Sequence, residues 1–168
     1  MLTQHPEVEQ KIREEVVTVM GEDDPNMENI KKLSYTMAVI KETLRLFPPA
    51  HALIKTCLKD TTLGPWDIRE GARMVVIVKE VHRNKKYWGD NVDNFDPSRF
   101  LPNSPNAQKH EHAWLPFSSG PRGCIGMQFS LIEARIILSR MVQKFTFRLH
   151  KDAEVKEKFR TVSFFYRI

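Results

Sequence analysis

Cysteine is scarce in this sequence: Cys57 and Cys124 are the only two among 168 residues, and they stand far apart. Two distant cysteines provide neither a disulfide framework nor a zinc ligand set, so we expect a reducing compartment. Long apolar runs are also missing, and without a run of about 18 apolar residues the sequence predicts no transmembrane helix. The N-terminal residues lack the charged and apolar regions of a signal peptide. The chain by itself is therefore expected to be soluble and cytoplasmic.

The composition is typical of a globular protein, with 41% hydrophobic and 28% charged residues. A chain of 168 residues is the size of one domain and is long enough to bury a core. The net charge of +5 indicates either a solvated basic surface or attraction to an acidic partner or substrate. Nucleic acid is not the expected partner, because the basic residues are spread out and no binding motif accompanies them.

Apolar periodicity and turn residues predict an α+β fold in which helices dominate. Pro6 suits the first turn of a helix that Gly21 ends, and Ser34 can cap a second helix that stops before Pro48 and Pro49. Aromatic residues in the long coil that follows the strands predict a packed meander. The predicted segments are a helix at 6–20, a helix at 34–47, strands within 51–80, the meander at 84–116, a loop at 117–126, a helix at 126–143 and strands within 145–167. The last strands are predicted from alternating apolar residues at F-T-F-R-L, 145–149, and again near T-V-S-F-F-Y-R-I, 161–168.

A glycine-rich loop surrounds the second cysteine in F-S-S-G-P-R-G-C-I-G, Phe117 to Gly126. Its glycines permit positive φ and close approach of the backbone to a flat or bulky ligand. Cys124 precedes a predicted helix, whose dipole favours a thiolate, and Arg122 offers a planar fork to a carboxylate. These features fit haem, with iron on the sulfur and a propionate on the arginine. The alternatives are a buried structural cysteine or a nucleophile served by His110 or His112.

The same ten residues match F-x-x-G-x-R-x-C-x-G, and through them the chain resembles the cytochrome P450 family of haem-thiolate monooxygenases. The resemblance implies haem b as the cofactor, with the Cys124 thiolate as the proximal ligand of the iron. It also implies that Arg122 holds a propionate and that Phe117 packs near the sulfur. By the same resemblance Gly120 makes the turn, and Gly126 opens the helix that follows.

Two further motifs resemble this family. Glu42 and Arg45 in K-E-T-L-R-L-F-P-P share a helix face, which periodicity alone makes an ordinary surface salt bridge. E-x-x-R followed by F-P-P resembles the family's K-helix, whose pair is buried under the cysteine loop. F-D-P-S-R-F resembles the P-E-R-F segment of the meander, with Ser98 in place of glutamate. The resemblance implies that Arg99 completes a buried structural network with Glu42 and Arg45.

The resemblance begins near His5 and covers the C-terminal portion of the family fold: K-helix, meander, cysteine-ligand loop, L-helix and short antiparallel strands. The family's I-helix, which serves in splitting dioxygen, has no match. Some members carry an arginine for the second propionate on the strand near His51, where Lys55 is the nearest candidate and would act as a point charge. Without the missing elements we expect one apolar face of the second helix to be exposed: Met37, Ile40, Leu44 and Phe47.

Two functions follow from the resemblance. The first is a haem-thiolate monooxygenase, as a part of a longer enzyme, that inserts one atom of dioxygen into an apolar small molecule with electrons from an NADPH-dependent reductase or another acidic redox partner. The basic residues that could receive this partner are Arg122, Arg135, Arg140 and Lys144. The second is a truncated, non-catalytic haem-binding or interaction fragment. For a eukaryotic full-length protein, the resemblance implies the cytosolic face of the endoplasmic reticulum membrane, reached through an N-terminal anchor outside this chain.

Overall fold

The computed structural model describes residues 1–107 and 110–153, together with the backbone of two strands beyond them. Helices and short antiparallel strands are mixed, which confirms the α+β class. The helices are α1 (Pro6–Met20), α2 (Ser34–Leu46), α3 (Val78–Val81), α4 (Lys85–Trp88) and α5 (Met127–Lys144). The strands are β1 (Ala52–Thr56), β2 (Thr61–Leu63), β3 (Trp66–Ile68), β4 (Arg73–Ile77), β5 (Val155–Lys158) and β6 (Phe164–Arg167). Single turns of 3-10 helix lie at Leu2–Gln4, Ile30–Lys32, Pro97–Phe100 and Glu111–Ala113.

The three long helices pack around one apolar cluster. Helix α1 begins at Pro6, where a missing N–H costs nothing, and it ends at Gly21, whose φ of 59° favours glycine. Arg13 joins α1 to the end of α5, because its guanidinium donates to the carbonyl oxygens of Val142 and Phe145. None of the helices in the described part of the chain has the length and apolarity needed to cross a bilayer. The buried cluster consists of Val8, Ile12, Val16, Met20, Ile30, Leu33, Val39 and Val142.

A carboxylate from α1 holds the start of α2. Glu15 accepts hydrogen bonds from the N–H of Tyr35 at 2.7 Å and from the N–H and hydroxyl of Thr36 at 2.8 and 2.7 Å. The prediction that Ser34 caps α2 is wrong, because Ser34 is the first helical residue and Leu33 occupies the cap position. The Ser34 hydroxyl instead donates to Glu15 at 3.3 Å. The N-terminal N–H groups of α2 are thus satisfied from another helix.

We expect Glu15→Gln to lower the free energy of unfolding by about 2 kcal/mol, because a charged acceptor at a helix N-terminus is replaced by a neutral amide. Urea denaturation at neutral pH measures this loss. Glu14→Gln is the matched control, since Glu14 lies on the same helix, is exposed and accepts from Gln10. We expect no measurable change in the control, and equal losses in the two variants would contradict the cap.

Short antiparallel pairs follow α2. Strand β1 pairs with β4, from Ala52 opposite Ile77 to Thr56 opposite Arg73. Strands β2 and β3 form a hairpin around Gly64, whose φ of 60° suits the tight turn. Strands β5 and β6 also pair in antiparallel orientation. Each of the three sheets among the described residues has two strands, so packing against other parts of the chain must stabilise them.

The predicted strand at F-T-F-R-L, residues 145–149, is wrong. The segment is not paired with a strand, because side chains of α1 bond its backbone instead. The Phe145 carbonyl accepts from Arg13 at 2.8 Å, and the Phe147 N–H donates to Glu9 at 3.4 Å. The alternation of apolar residues at 145–149 therefore indicated an extended backbone, but it did not indicate which part of the chain this backbone bonds. Of the last predicted strand, residues 164–167 form β6, whereas 161–163 lie outside the described residues.

The long segment between β4 and the cysteine loop packs around an aromatic cluster. Trp88 is 3% exposed, its indole N–H donates to the Val81 carbonyl at 3.2 Å, and its ring lies 5.8 Å from that of Phe100. Asp96 caps the turn at Pro97–Phe100 by accepting from the Ser98 N–H at 3.0 Å. Because large side chains are buried along this segment, its described residues are packed, as expected for the predicted meander.

An apolar cleft of about 1010 Å³ opens between α2 and α5. Ile40 and Leu44 line it from α2, Leu131 and Leu138 line it from α5, and Phe117 lines it from the cysteine loop. The expectation that this face of α2 is exposed is wrong, because Ile40 is 9% exposed and Met37, Leu44 and Phe47 are half-buried. The start of the cysteine loop therefore lies beside both α2 and α5.

Candidate functional site

Glu42, Arg45 and Arg99 meet in the interior beside the meander. Arg45 donates from Nε to one oxygen of Glu42 at 2.7 Å and from Nη2 to the other at 2.8 Å. Both side chains are 0% exposed, and Arg99 Nε lies 3.5 Å from the same carboxylate. The reading as a surface salt bridge, which periodicity alone favoured, is wrong because the meander covers this face of α2. Such a pair has lost its water and depends on its remaining partners.

Backbone carbonyls of the neighbouring segments complete this network. Arg45 donates to the carbonyls of His82 at 2.9 Å and Asn94 at 3.2 Å. Arg99 donates to the carbonyl of Trp88 at 2.6 Å. The guanidinium of Arg45 also lies 5.0 Å from the centre of the Trp88 ring, within range of a cation–π interaction. The two arginines therefore join α2 to the meander at several points of the backbone.

Two opposing influences act on the carboxyl of Glu42. Burial raises its pKa, whereas hydrogen bonds from Arg45 and the Asp96 N–H and the charge of Arg99 lower it. Burial is the larger influence, so the net pKa is raised above the ordinary value. The carboxylate consequently relies on both arginines to offset its desolvation.

The loop at residues 117–126 closes on itself and presents a thiol. The Cys124 N–H donates to the Phe117 carbonyl at 2.9 Å, and the Gly123 N–H donates to the Gly120 carbonyl at 2.9 Å. Gly120 has a φ of 78°, a conformation that favours glycine. Cys124 is exposed, so the alternative of a buried structural cysteine is wrong.

Helix α5 begins directly after the cysteine. Gly126 occupies the N-cap position, and the Met127 N–H donates to the Cys124 carbonyl at 3.3 Å. Cys124 thus lies beside the N-terminus of an 18-residue helix.

The other predicted site residues differ in their surroundings. Phe117 is half-buried, and its ring lies 6.1 Å from that of Trp114. Arg122 is exposed and makes no ion pair with any residue that the structure describes. Lys55 lies half-buried on β1, and no contact within the described ranges joins it to the cysteine loop. Its assignment to a propionate therefore stays a prediction.

Neither histidine proposed as a base reaches the thiol. The His110 ring packs on Tyr87 at 5.0 Å between centroids, and the His112 ring lies 5.9 Å from that of His110. No hydrogen bond of the described residues connects either ring to Cys124, so the nucleophile alternative lacks its base. Clusters of three or more potential metal-ligating side chains are also absent from the described part of the chain.

Two of the four basic residues expected to receive a partner have other roles. Arg135 is half-buried and donates to the carbonyl of Ile30 at 2.7 Å. Arg140 forms an ion pair with Asp24. Arg122 and Lys144 are exposed and form no ion pair with any residue that the structure describes.

His82 is a buried residue of this region that the motifs did not identify. Its Nδ1 lies 3.0 Å from the carbonyl oxygen of Arg45, and its Nε2 lies 2.7 Å from the N–H nitrogen of Leu115. Burial is the main cause that lowers its pKa from 6.5 to about 4, and the charge of Arg45 adds to it. A single histidine in V-H-R-N gives no local signal of such contacts, since both partners are distant in sequence.

Comparisons with known proteins extend over nearly the whole chain. The family model described as Cytochrome P450 matches residues 1–167. Secologanin synthase 2 of Catharanthus roseus is 38% identical over 147 residues, which are 88% of this chain and 28% of the relative. A cytochrome P450 of Caenorhabditis elegans is 39% identical over 146 residues, 86% of this chain and 28% of the relative. Cytokinin hydroxylase of Arabidopsis thaliana is 37% identical over 153 residues, 90% of this chain and 29% of the relative.

The chain spans less than a third of the length of these relatives. Within that span, the exposed thiol at the start of α5 and the buried glutamate–arginine pair occur together with the family match. This chain belongs to the cytochrome P450 family.

Proposed function

We propose that this chain is the haem-ligating C-terminal part of a cytochrome P450 monooxygenase, with Cys124 as the thiolate ligand of the iron. Members of the family bind haem through a cysteine thiolate. The observation that carries the proposal is the loop at residues 117–126, which closes through the Cys124 N–H yet leaves the thiol exposed beside α5. In this assignment α2 is the K-helix, residues 84–116 are the meander and α5 is the L-helix.

The glycines of the loop support a bulky group at the sulfur. A Cβ at Gly123 would lie 3.1 Å from the Gly120 carbonyl oxygen, a tight contact within the loop itself that favours glycine there. A Cβ at Gly126 would meet the Cys124 sulfur at 3.8 Å, an ordinary contact, and the φ of −83° suits any residue. Because the chain alone does not require glycine at this position, clearance for a ligand of the thiolate explains it better.

Each predicted site residue has a role in this proposal. Arg122, exposed and without an ionic partner among the described residues, is suited to a propionate. Phe117 is assigned to packing near the sulfur on the resemblance, and Gly120, with a φ of 78°, supplies the turn. Lys55 is assigned to the second propionate on the resemblance alone.

The reaction proposed for the whole protein is the insertion of one atom of dioxygen into an apolar small molecule. When bound, a thiolate-ligated haem supplies the oxygen activation. The residues of this chain hold the sulfur at the start of α5. One relative is named a cytokinin hydroxylase and another an 11-oxo-beta-amyrin 30-oxidase, which supports the reaction class. Since these names differ in substrate, no individual substrate is assigned.

The partner proposed for the whole protein is an acidic, NADPH-dependent reductase. Exposed Arg122 and Lys144 support this, because their positive charge favours encounter with an acidic surface. The relatives named above come from plants and a nematode. For the whole protein we therefore propose the cytosolic face of the endoplasmic reticulum, with any membrane anchor outside this chain.

Cys124→Ala is expected to abolish the thiolate-type Soret band of the ferrous carbon monoxide complex, because no other thiol lies at the loop. The measurement is the absorption spectrum of the haem-loaded chain after reduction under carbon monoxide. Cys57→Ala is the matched control, since Cys57 is 7% exposed and contacts the Lys59 carbonyl through its sulfur at 2.9 Å. The control should keep the band.

Two outcomes would count against the proposal. A thiolate-type band that survives in Cys124→Ala would exclude this residue as the ligand. Failure of the unmodified chain to take up haem at all would favour the alternative of a non-catalytic fragment.

A further inference from the structure

His82 lies between the buried arginine network and the entry of the cysteine loop. Its ring is 0% exposed and contacts two backbones, the Arg45 carbonyl on one side and the Leu115 N–H on the other. We propose that His82 is a positioning residue that sets the cysteine loop against α2, with Trp114 as a second anchor. This inference rests on the function proposed for that loop.

The end of α2 explains why a side chain is needed at this point. A helical carbonyl at Arg45 would accept from the N–H of residue 49, but Pro49 has none. The Arg45 carbonyl bonds the His82 ring instead, and the Leu46 carbonyl accepts from Arg83 at 3.3 Å. His82 and Arg83 therefore supply donors to the last two carbonyls of α2.

The two backbone partners determine the tautomer of His82. A carbonyl can only accept, so Nδ1 carries the hydrogen that faces Arg45. The N–H of Leu115 can only donate, so Nε2 must offer its lone pair. Protonation would add a hydrogen to Nε2, which would then face the N–H of Leu115, so that two donors would oppose each other. The ring thus acts as a neutral bridge with one donor and one acceptor in fixed directions.

Trp114 anchors the same segment to the same helix. Its indole N–H donates to the Lys41 carbonyl at 3.1 Å. Lys41 and Arg45 are four residues apart, so their carbonyls lie one turn from each other along one side of α2. The Trp114 ring also lies 6.1 Å from Phe117. Loop entry is therefore held at two points on a rigid helix.

These anchors act on the thiol through the backbone. Leu115 stands two residues before Phe117, and the Phe117 carbonyl accepts from the Cys124 N–H at 2.9 Å. A shift of Leu115 is transmitted through Pro116, whose ring restricts φ, to the carbonyl that closes the loop. His82 thus sets the position of the Cys124 sulfur relative to α2.

A matched pair of variants tests the acceptor at Nε2. His82→Asn keeps a donor near Nδ1 but loses the acceptor toward Leu115, whereas His82→Gln can place an oxygen where Nε2 was. Amide hydrogen exchange of the chain without added haem should be about tenfold faster at Leu115 and Cys124 in His82→Asn, because a bond to a buried N–H is lost. We expect His82→Gln to exchange at the rate of the unmodified chain. The buried amide of Val16 on α1 should exchange equally in all three proteins.

Unchanged exchange at Leu115 and Cys124 in His82→Asn would overturn the proposal, as would a uniform increase that includes Val16. If His82→Asn does not fold, Trp114→Phe decides. Trp114→Phe keeps an aromatic ring but removes the donor to Lys41, and faster exchange confined to residues 115–124 is expected. No local change in Trp114→Phe would then contradict the anchoring.

A second readout links the anchors to the ligand. In the haem-loaded chain, the thiolate-type share of the Soret band should fall severalfold in His82→Asn and should be retained in His82→Gln. If the thiolate-type share of the Soret band is unchanged in His82→Asn, then His82 does not position the cysteine ligand. Absence of haem uptake by the unmodified chain would overturn the proposed function instead, while the exchange results would still decide whether His82 anchors the loop.

Discussion

Arg45→Ala is expected to cost about 3–5 kcal/mol of unfolding free energy, the range for breaking a buried ion pair from one side. The change removes the bidentate donor to Glu42, whose carboxylate is 0% exposed and then has Arg99 and the Asp96 N–H as partners. It also removes the donors to the carbonyls of His82 and Asn94. Urea denaturation measures the loss of stability, and the haem content after purification measures its consequence for the site.

Arg69→Ala is the matched control for this prediction. Arg69 donates to Asp60 at 2.7 Å, the distance of the Arg45–Glu42 bond, but its side chain is 83% exposed. Water already solvates both of its charges, so we expect no measurable change in unfolding or haem content. An Arg45→Ala protein with normal haem content and stability would show that the buried network is dispensable.

Stability should fall between pH 6.5 and pH 4 because of His82. Its pKa is about 4 in the folded chain, against an ordinary value of 6.5, so the unfolded chain binds the proton first as the pH drops. Neutral His82 thus contributes stability that is complete above pH 6.5 and is lost as the pH falls toward 4. The charged group that faces the ring is the Arg45 guanidinium, which opposes protonation. The shift corresponds to about 3 kcal/mol.

The comparison with His82→Gln isolates this contribution, since carboxylates also titrate in the same range. Unfolding free energies from urea denaturation are measured for both proteins at intervals from pH 7 to pH 4. The unmodified chain should lose about 3 kcal/mol more than the variant over this range. Parallel curves for the two proteins would mean that the folded chain protonates His82 as readily as the unfolded one.

The residues of the cysteine loop show how far a sequence can lead. Cys124, its glycines and Arg122 are contiguous, so both the motif and its likeness to the family are visible without a structure. Pro6 and Gly21 mark the ends of α1 for the same reason, because each acts through its own backbone. The prediction that Ser34 caps α2 was wrong because the N–H groups at the start of this helix are bonded by Glu15, which belongs to another helix.

Other features of the site depend on contacts between distant residues. The spacing of Glu42 and Arg45 indicates a shared helix face but not whether that face is covered, which the meander decides. His82 is 37 residues from Arg45 and 33 from Leu115, and no local pattern marks it. The apolar alternation at residues 145–149 likewise indicated an extended backbone, whereas its bonds to α1 replaced the expected strand partner.

The sequence by itself determined the family, the cysteine and the order of the three long helices, because these depend on contiguous residues and short periodicities. Only the tertiary structure decided that the glutamate–arginine pair is buried and that Cys124 is exposed. It also decided that a neutral histidine bridges α2 to the loop. The physical reason is that burial and hydrogen-bond partners are set by chain segments that meet only in the folded state, and these set the energy of each charge.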